Sequence, residues 1–398
     1  MTSSTSYSVR AVYCHHRASD DEIYHHLCRI AEPLKRSIDR IRKARKIVIK
    51  TNMMRAPVER FAGRRRELVD DSVMRAVLIF LREHSSAQIV ATDTHFKGGV
   101  EKINYIPLLQ EFGVEYIDSS MPPHKTYEVP GGGLMFSRYK LNACFSDADS
   151  VVSVSKMKNH AFMGVTLCLK NLFGVLPLPP HNRPRDYFHH LIRLPYFLVD
   201  LGMIIQPCLN VVDALVGQSQ REWDGDGRIC NALIAGDHPI ATDACGAWLM
   251  GHDPASDWPT PPFKRDRNSL AIAAENGFGT VNLDEIDFQT DLERPLAEFD
   301  SRQFDSAEEI AAWRKTTCEQ ALFYRDHQVD IMEKYGGQFI LLQNGEVTWH
   351  GVDTHTLGSW RELHGTKINQ APWLKHVGPA HEEGEQFSVY EENLTKLR

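Results

Sequence analysis

No CxxC pair occurs in the 398-residue chain, and its eight cysteines, at 14, 28, 144, 168, 208, 230, 245 and 318, stand far apart. Neither a zinc ribbon nor a local iron–sulfur cluster motif is therefore available, and no iron–sulfur cluster is expected. Several cysteines lie in apolar runs, such as Cys168 in TLCLKN and Cys245 in TDACGAWLM, where reduced, buried thiols fit best. Long apolar runs are missing too: none approaches the ~20 residues of a membrane helix. The opening MTSSTSYSVRAVY lacks the charged-then-apolar layout of a signal peptide. A cytoplasmic protein with no membrane partner is expected. Long basic runs are absent, and the net charge is −7. The densest basic cluster, Arg64-Arg65-Arg66, is short and flanked by acidic residues. It reads as a solvated loop or helix start, which argues against nucleic acid as a partner. No HxH, HExxH or comparable ligand spacing occurs.

What the chain does have is an alternation of buried strands and amphipathic helices. SVRAVYC reads as a strand, followed by a helix over roughly 20–44. ARKIVIKTN and AQIVATDTH are short apolar runs ending in polar residues, the pattern of buried parallel strands. Between them DDSVMRAVLIFLREH is helical, with an acidic start and an apolar face. The pattern repeats with a helix near 105–112, then VEYIDSS, then SDADSVVSVSKMKNH. PCLNVVDALVG is a strand ending in Asp213. CNALIAGDHPIATDACGAWLMG gives a strand, a turn and a helix beginning near Thr242-Asp243, and SLAIAAENGFG is a short helix closed by glycine. The fold class is therefore α/β, a mostly parallel β-sheet flanked by helices, filling about residues 1–300.

From about residue 300 the character changes. SAEEIAAWRKTTCEQALFYRDHQVDIMEKYGG reads as one long helix, and QFILLQNGEVTWHG as a hairpin around Asn344-Gly345. LGSWRELHG and APWLKHVGP add a helix and a strand, so residues 301–398 form a small α+β unit.

In parallel sheets, ligands sit outside the carboxyl ends of the strands. Four such ends carry reactive residues: Lys50-Thr51-Asn52, Asp93-Thr94-His95, Asp118-Ser119-Ser120 and Lys156-Met157-Lys158-Asn159-His160. Lys156, Lys158 and His160 alternate, so an unbroken strand would present all three on one face. Lys170-Asn171 follow in LCLKNLFG. Three lysines and a histidine on one cleft attract an anion such as a carboxylate or a phosphate, and cations crowded together lose basicity, which suits proton transfer. The competing reading is a solvated edge strand, but VVSVS before the lysines looks buried and central. Histidines 95, 124, 160, 181, 189 and 190 are further candidates, and those near polar tips could join Asp93, Asp213 or Asp243 around a divalent metal.

Two loops look suited to ligand access. Pro130-Gly131-Gly132-Gly133 could wrap an anion with backbone amides, although it lacks the strand–GxGxxG–helix setting of a dinucleotide site. LPLPPHNRPRDYFHH could form a lid carrying His181, Arg183 and Arg185, or be an ordinary long loop. REWDGDGR is acidic and glycine-broken, without the spacing or closing glutamate of a calcium loop.

Taken in order, these elements resemble the family called domain of unknown function 362 (DUF362). The resemblance is carried by KTN (Lys50–Asn52), KMKNH (Lys156–His160), KNLFG (Lys170–Gly174), His181, VVDALVG with Asp213, and GDHPIATD (Gly236–Asp243), over roughly residues 45–280. KTN stands where the family pattern has KPN, GDHP carries an inserted histidine, and REWDGDGR replaces a glycine- and proline-rich stretch. The clustered cysteines of the ferredoxin-like tail that many members carry do not occur in these 398 residues. In kind, the lysine- and histidine-rich tips are similar to the cofactor site of nickel-pincer lactate racemases, in which lysine and histidines hold a modified pyridinium.

The expectation is an enzyme acting on a small anionic, carboxylated metabolite by isomerase- or lyase-type proton chemistry, with metal assistance left open. Lys156, Lys158, His160 and Lys170 form the catalytic set, and Lys50, Asn52, Asn171, His181, Asp213 and Asp243 bind substrate. Asp93, His95 and His160 are the candidate metal ligands. The alternative is a non-catalytic binding or redox-accessory protein that captures an anionic cofactor for a partner. A homo-oligomer is left open.

Overall fold

The computed structural model describes residues 6–53, 57–94, 105–177, 187–302, 305–354, 357, 372–378 and 384–397. Its strands are β1 (Tyr7–Tyr13), β2 (Lys46–Lys50), β3 (Arg60–Phe61), β4 (Arg64–Arg65), β5 (Gln88–Asp93), β6 (Glu115–Asp118), β7 (His124–Glu128) and β8 (Arg138–Asn142). They continue with β9 (Ser150–His160), β10 (Gly164–Thr166), β11 (Leu209–Ser219), β12 (Asp226–Gly236), β13 (Ile286–Thr290), β14 (Phe339–Gln343), β15 (Glu346–Gly351) and β16 (Trp373–His376). The α-helices are α1 (Asp20–Ala31), α2 (Lys35–Lys43), α3 (Asp71–His84), α4 (Ile106–Glu111), α5 (Cys168–Asn171), α6 (Arg193–Ile205), α7 (Pro239–Leu249), α8 (Ser269–Glu275), α9 (Ala307–Asp326), α10 (Gln328–Tyr335) and α11 (Ser388–Lys396).

One large sheet runs β13-β1-β12-β11-β9-β2-β5-β6, with β10 folded back on β9. β11, β9, β2, β5 and β6 are parallel neighbours, and only β12 and β10 run against the rest. The mostly parallel sheet read from the sequence is therefore present. Both faces are covered, which is why the central strands are apolar on both sides. Ile47, Ile49, Val152 and Val154 pack against Leu27 of α1 and Val73, Val77 and Leu81 of α3. On the other face Val48 and Val151 join Leu194, Phe197 and Leu201 of α6, while Met157 and Val212 join Ala241 and Ala244 of α7. Each fully buried Leu, Val or Phe contributes roughly 1.5–3 kcal/mol.

The structure corrects several boundaries. The helix expected over 20–44 is two, α1 and α2, because Pro33 supplies no N–H and restricts the residue before it. The long helix after Ser306 breaks at His327 into α9 and α10. β11 does not end at Asp213 but continues to Ser219, paired with β12 on both sides of a register shift between Ala214 and Val216.

The C-terminal unit contains the hairpin expected at Asn344-Gly345, both at positive φ (52° and 75°), as a primed two-residue turn requires. β16 completes its small antiparallel sheet. Tyr324, Phe339, Trp373 and Tyr390 of this unit belong to the same apolar cluster as Phe136, Tyr187 and Phe197. The helix expected over LGSWRELHG lies outside the described residues apart from Leu357. No helix among the described residues is long and apolar enough to cross a membrane.

Candidate functional site

After β2 the chain builds outward through β5 and β6; after β9 it builds the other way through β11 and β12. The order thus reverses between β2 and β9, a topological switch point of the kind at which open α/β sheets bind ligands. Lys50 ends the first of these strands, with Thr51 and Asn52 just after it, and Lys156 to His160 stand on the second. β9 runs unbroken through His160, with every residue buried. It is no edge strand, and alternation carries Lys156, Lys158 and His160 on the face of Val152 and Val154.

The structure divides the expected residues into three groups. In the first, Lys50 Nζ lies 3.0 Å from Asp93 Oδ1, and both side chains are buried. Lys50 also donates to the Thr51 carbonyl (2.6 Å) and Asn171 Oδ1 (3.3 Å). Asp93 accepts the N–H groups of Met53 (2.7 Å) and Thr94 (2.8 Å). Burial pulls the Lys50 ammonium down and pushes the Asp93 carboxyl up, each opposed by its partner's charge. Asn171 Nδ2 donates to Ser153 Oγ and the Val154 carbonyl, tying α5 to β9. A Cβ on Gly174 would fall 2.2 Å from Asp93 Oδ1 and 2.8 Å from Lys50 Nζ, so the glycine of KNLFG makes room for this pair.

The second group centres on Lys156 and Asp213, paired across β9 and β11 at 2.9 Å and wholly buried. Asp213 also accepts the N–H groups of Asp70 (2.8 Å) and Leu215 (3.1 Å). Burial pushes its carboxyl up, with Lys156 opposing. Arg64 binds Asp70 at 2.8 Å and donates to the His16 and Ala18 carbonyls. Arg65, only 2% exposed, pairs with Asp71 and lies 4.2 Å from the Tyr105 ring centroid. The three-arginine run is therefore not a solvated loop: carboxylates at the start of α3 and an aromatic face draw it in.

The third group is where Lys158 and His160 lie, each 2% exposed. Lys158 Nζ donates to the carbonyls of Glu67 (2.8 Å) and Glu222 (3.3 Å) and sits 4.3 Å from the Trp223 ring centroid. His160 Nδ1 accepts the backbone N–H groups of Phe162 (3.0 Å) and Met163 (3.1 Å). Two donors aimed at Nδ1 need its lone pair, which assigns the ring proton to Nε2. Glu222 Oε2, 3.7 Å from Nδ1, instead accepts the Ala161 N–H at 3.1 Å. The His160 ring stacks on His189 at 5.6 Å, and His189 packs edge-on against Phe162 and Phe173. Lys170, half-buried, lies over Phe173 at 4.4 Å. Glu222 and Trp223 come from REWDGDGR, which looked like a plain acidic loop. The overrun of β11 past Asp213 delivers it here.

Other expected residues have internal duties. Asp243, on α7, accepts the N–H groups of Cys168 and Leu169, both at 2.7 Å, and so caps α5 rather than standing beside Lys158. Burial pushes its carboxyl up to about 7. Gly131, Gly132 and Gly133 all have positive φ, and the amides just after them, of Leu134, Met135 and Phe136, do wrap an anion. That anion is the protein's own Asp200, from α6. Asn52 is buried, and its side-chain oxygen has no hydrogen-bond partner among the described residues. His95, His181, Arg183 and Arg185 lie outside the described residues.

A metal fits the described members of the Asp93, His95 and His160 set poorly. Asp93 is committed to Lys50, and it belongs to a different group from His160. A metal-binding histidine donates its other ring N–H, whereas His160 Nδ1 accepts two and leaves the proton on Nε2. Among the described residues no group of three or more His, Cys, Asp or Glu side chains is placed to hold an ion.

Comparison with known proteins agrees with the resemblance read from the residues. The family model described as domain of unknown function (DUF362) matches residues 47–248, just over half of the chain. A thylakoid-associated protein of Synechocystis sp. (strain PCC 6803) is 26% identical over 166 residues, covering 40% of this chain and 49% of that protein. The match thus spans about half the length of that relative. Among solved structures, the lactate racemase apoprotein from Thermoanaerobacterium thermosaccharolyticum aligns with a TM-score of 0.36 and 11% identity, covering 61% of this chain and 56% of that one. Likeness of that degree says nothing about activity.

Proposed function

The chain belongs to the DUF362 family, and from that premise we propose that it is an enzyme that binds a small carboxylated anion over Lys158 and His160 and moves a proton at the carbon beside the carboxylate. The observation that carries this reading is the double backbone lock on His160 Nδ1. It holds an uncharged imidazole with Nε2–H as a fixed donor next to the Lys158 ammonium. Such a preorganised pair stabilises negative charge as it develops on a substrate oxygen, without reorganising at the moment of reaction. When the proton leaves carbon, its electron pair moves toward the carboxylate oxygens facing Lys158 and His160. The proton goes to a neighbouring base, and His189, stacked on His160, is best placed to take it.

The proposal reassigns roles within the expected set. Lys50 and Lys156 each face a buried carboxylate, so they build the floor of the cleft, together with Asp93, Asp213 and Asn171. Lys158, His160, Lys170 and His189 are its reactive wall. The reading is tested by titrating the full-length chain with malonate and with inorganic phosphate, then screening 2-hydroxy acids, which carry a hydrogen on the carbon beside the carboxylate, for deuterium uptake from solvent at that carbon. Uptake lost in His160→Gln and Lys158→Met, with folding intact, supports it. Unaltered uptake in both variants overturns it.

The deep burial of Lys158 and His160 favours a second reading, in which an anionic cofactor is captured and held for a partner. Native mass spectrometry showing a stoichiometric organic anion retained by the purified chain, with no deuterium uptake by any acid, selects that reading.

A further inference from the structure

Ile192 is fully buried and β-branched, yet it has φ +69° and ψ −46°, a left-handed conformation that bulky residues rarely adopt. Its N–H donates to Asp266 Oδ2 at 2.6 Å. The other oxygen, Oδ1, accepts the Arg267 N–H at 2.8 Å and the guanidinium of Arg314. Arg314 belongs to α9, and its second terminal nitrogen donates to Asn393 Oδ1 of α11 at 2.8 Å. Both members of the Asp266–Arg314 pair are buried.

Three residues before Ile192 stands His189, stacked on His160. The short segment between them is tied to the C-terminal unit at further points. His190 Nε2 lies 3.2 Å from the Pro372 carbonyl, and Arg193 donates to the carbonyls of Tyr187 (2.6 Å) and Leu374 (3.2 Å) while pairing with Glu385 at 3.2 Å. The stretch that carries His189 is thus gripped on both sides by residues drawn from 314–393.

We infer that Asp266, clamped by Arg314, is a positioning residue that fixes Ile192 in its left-handed conformation and so sets His189 against His160. The inference rests on the reading of the Lys158–His160 cleft as the ligand site. Physically, Ile192 keeps its strained φ only while an acceptor holds its N–H, and a conformational strain persists when its surroundings over-determine it. Removing the Arg314 guanidinium leaves the buried Asp266 carboxylate without the cation that faces and holds it. Releasing Asp266 lets the chain at Ile192 return to negative φ, which rotates the preceding peptide and carries His189 off the His160 ring. The C-terminal unit is then part of the site's frame.

The test uses the full-length chain labelled with 15N at histidine. The ring signals of His160 and His189 are assigned by their disappearance in His160→Gln and His189→Gln. Arg314→Met is expected to shift the His189 ring signals and to weaken malonate binding roughly tenfold, the scale of one displaced hydrogen-bonding group. The acceptor signature of His160 Nδ1 stays in place, because Phe162 and Met163 supply it. Arg314→Lys, which keeps a cation on Asp266, returns the His189 signals toward those of the parent. A folded Arg314→Met protein with His189 unmoved overturns the inference. If Arg314→Met does not fold, Asn393→Ala removes only the second hold on Arg314. A smaller shift of the same kind supports the inference, and an unmoved His189 overturns it. Failure of the site reading is distinct: in the parent protein neither malonate nor phosphate would then perturb His160, whatever His189 does.

Discussion

Lys156 and Asp213 form an ion pair at 2.9 Å across two adjacent parallel strands, with neither side chain exposed at all. Such a pair gives little net stability over an apolar pair of the same size, but breaking one side leaves an uncompensated charge in the core. Lys156→Met is expected to lower stability by about 3–5 kcal/mol. The double variant Lys156→Met/Asp213→Leu is expected to lose clearly less than the sum of the two singles. Urea unfolding of the four proteins measures both quantities, and additive losses would argue against the pairing.

Gly174 carries a steric version of the same argument for Lys50 and Asp93. A methyl group there would overlap the Asp93 carboxylate and crowd the Lys50 ammonium, both of which are packed from all sides. Gly174→Ala is expected to cost about 1–3 kcal/mol as overpacking. Gly174 has no positive φ, so backbone strain does not contribute there and the loss measures the clash. No loss, or a gain in stability, for Gly174→Ala in thermal unfolding would remove the steric account.

Asp243 gives stability a pH dependence of known sign. Burial raises its folded-state pKa to about 7, far above that of an unfolded aspartate. The folded protein therefore binds more protons than the unfolded chain between about pH 4 and 7. The contribution is fully present below the unfolded value and is lost as pH rises through about 7. Buried His238 and His252, both pulled down to about 4 by desolvation, act oppositely and destabilise the fold as pH falls below about 6.5. The difference between the parent and Asp243→Asn isolates the carboxyl. Parent stability is expected to fall relative to the variant by up to about 4 kcal/mol across that range. A flat or opposite difference curve would contradict the assignment.

Glu222 is expected to be a brace for His160 rather than a proton carrier, because its carboxylate accepts the Ala161 N–H. Glu222→Gln keeps an acceptor there, so ligand binding should change by less than threefold, about 0.6 kcal/mol or less. Trp223→Ala removes the aromatic face over Lys158 and should weaken anion binding by about 0.5–2 kcal/mol. Malonate titration separates the two. A larger effect at Glu222 than at Trp223 would place Glu222 in the chemistry.

The sheet, and the strand that carries the candidate site residues, were legible because they rest on local patterns. VVSVS followed by alternating Lys156, Lys158 and His160 reads as a buried strand with one reactive face, and β9 is that strand. The order of polar strand tips pointed to the end of the sheet at which β2 and β9 part. Pro33 was a visible stop signal within the helix read over 20–44. What the sequence hid was tertiary pairing. Nothing local distinguishes Asp243, which caps a neighbouring helix, from an aspartate in a site. The glycine run before Leu134 looked ready for an external anion, but the acceptor is Asp200, more than sixty residues away. Trp223 and Glu222 were missed because their approach to Lys158 depends on how far β11 continues, and that length is set by pairing with β12 rather than by composition.

The central claim is that His160 is a fixed Nε2–H donor beside an anion-binding Lys158. Long-range 1H–15N spectra of the full-length chain labelled at histidine measure this directly, before and after addition of malonate. The expected result is a His160 ring with its proton on Nε2 and Nδ1 as acceptor, whose Nε2 signals move on malonate addition in the parent but not in Lys158→Met. A proton on Nδ1, or His160 signals indifferent to malonate and phosphate, would contradict the account.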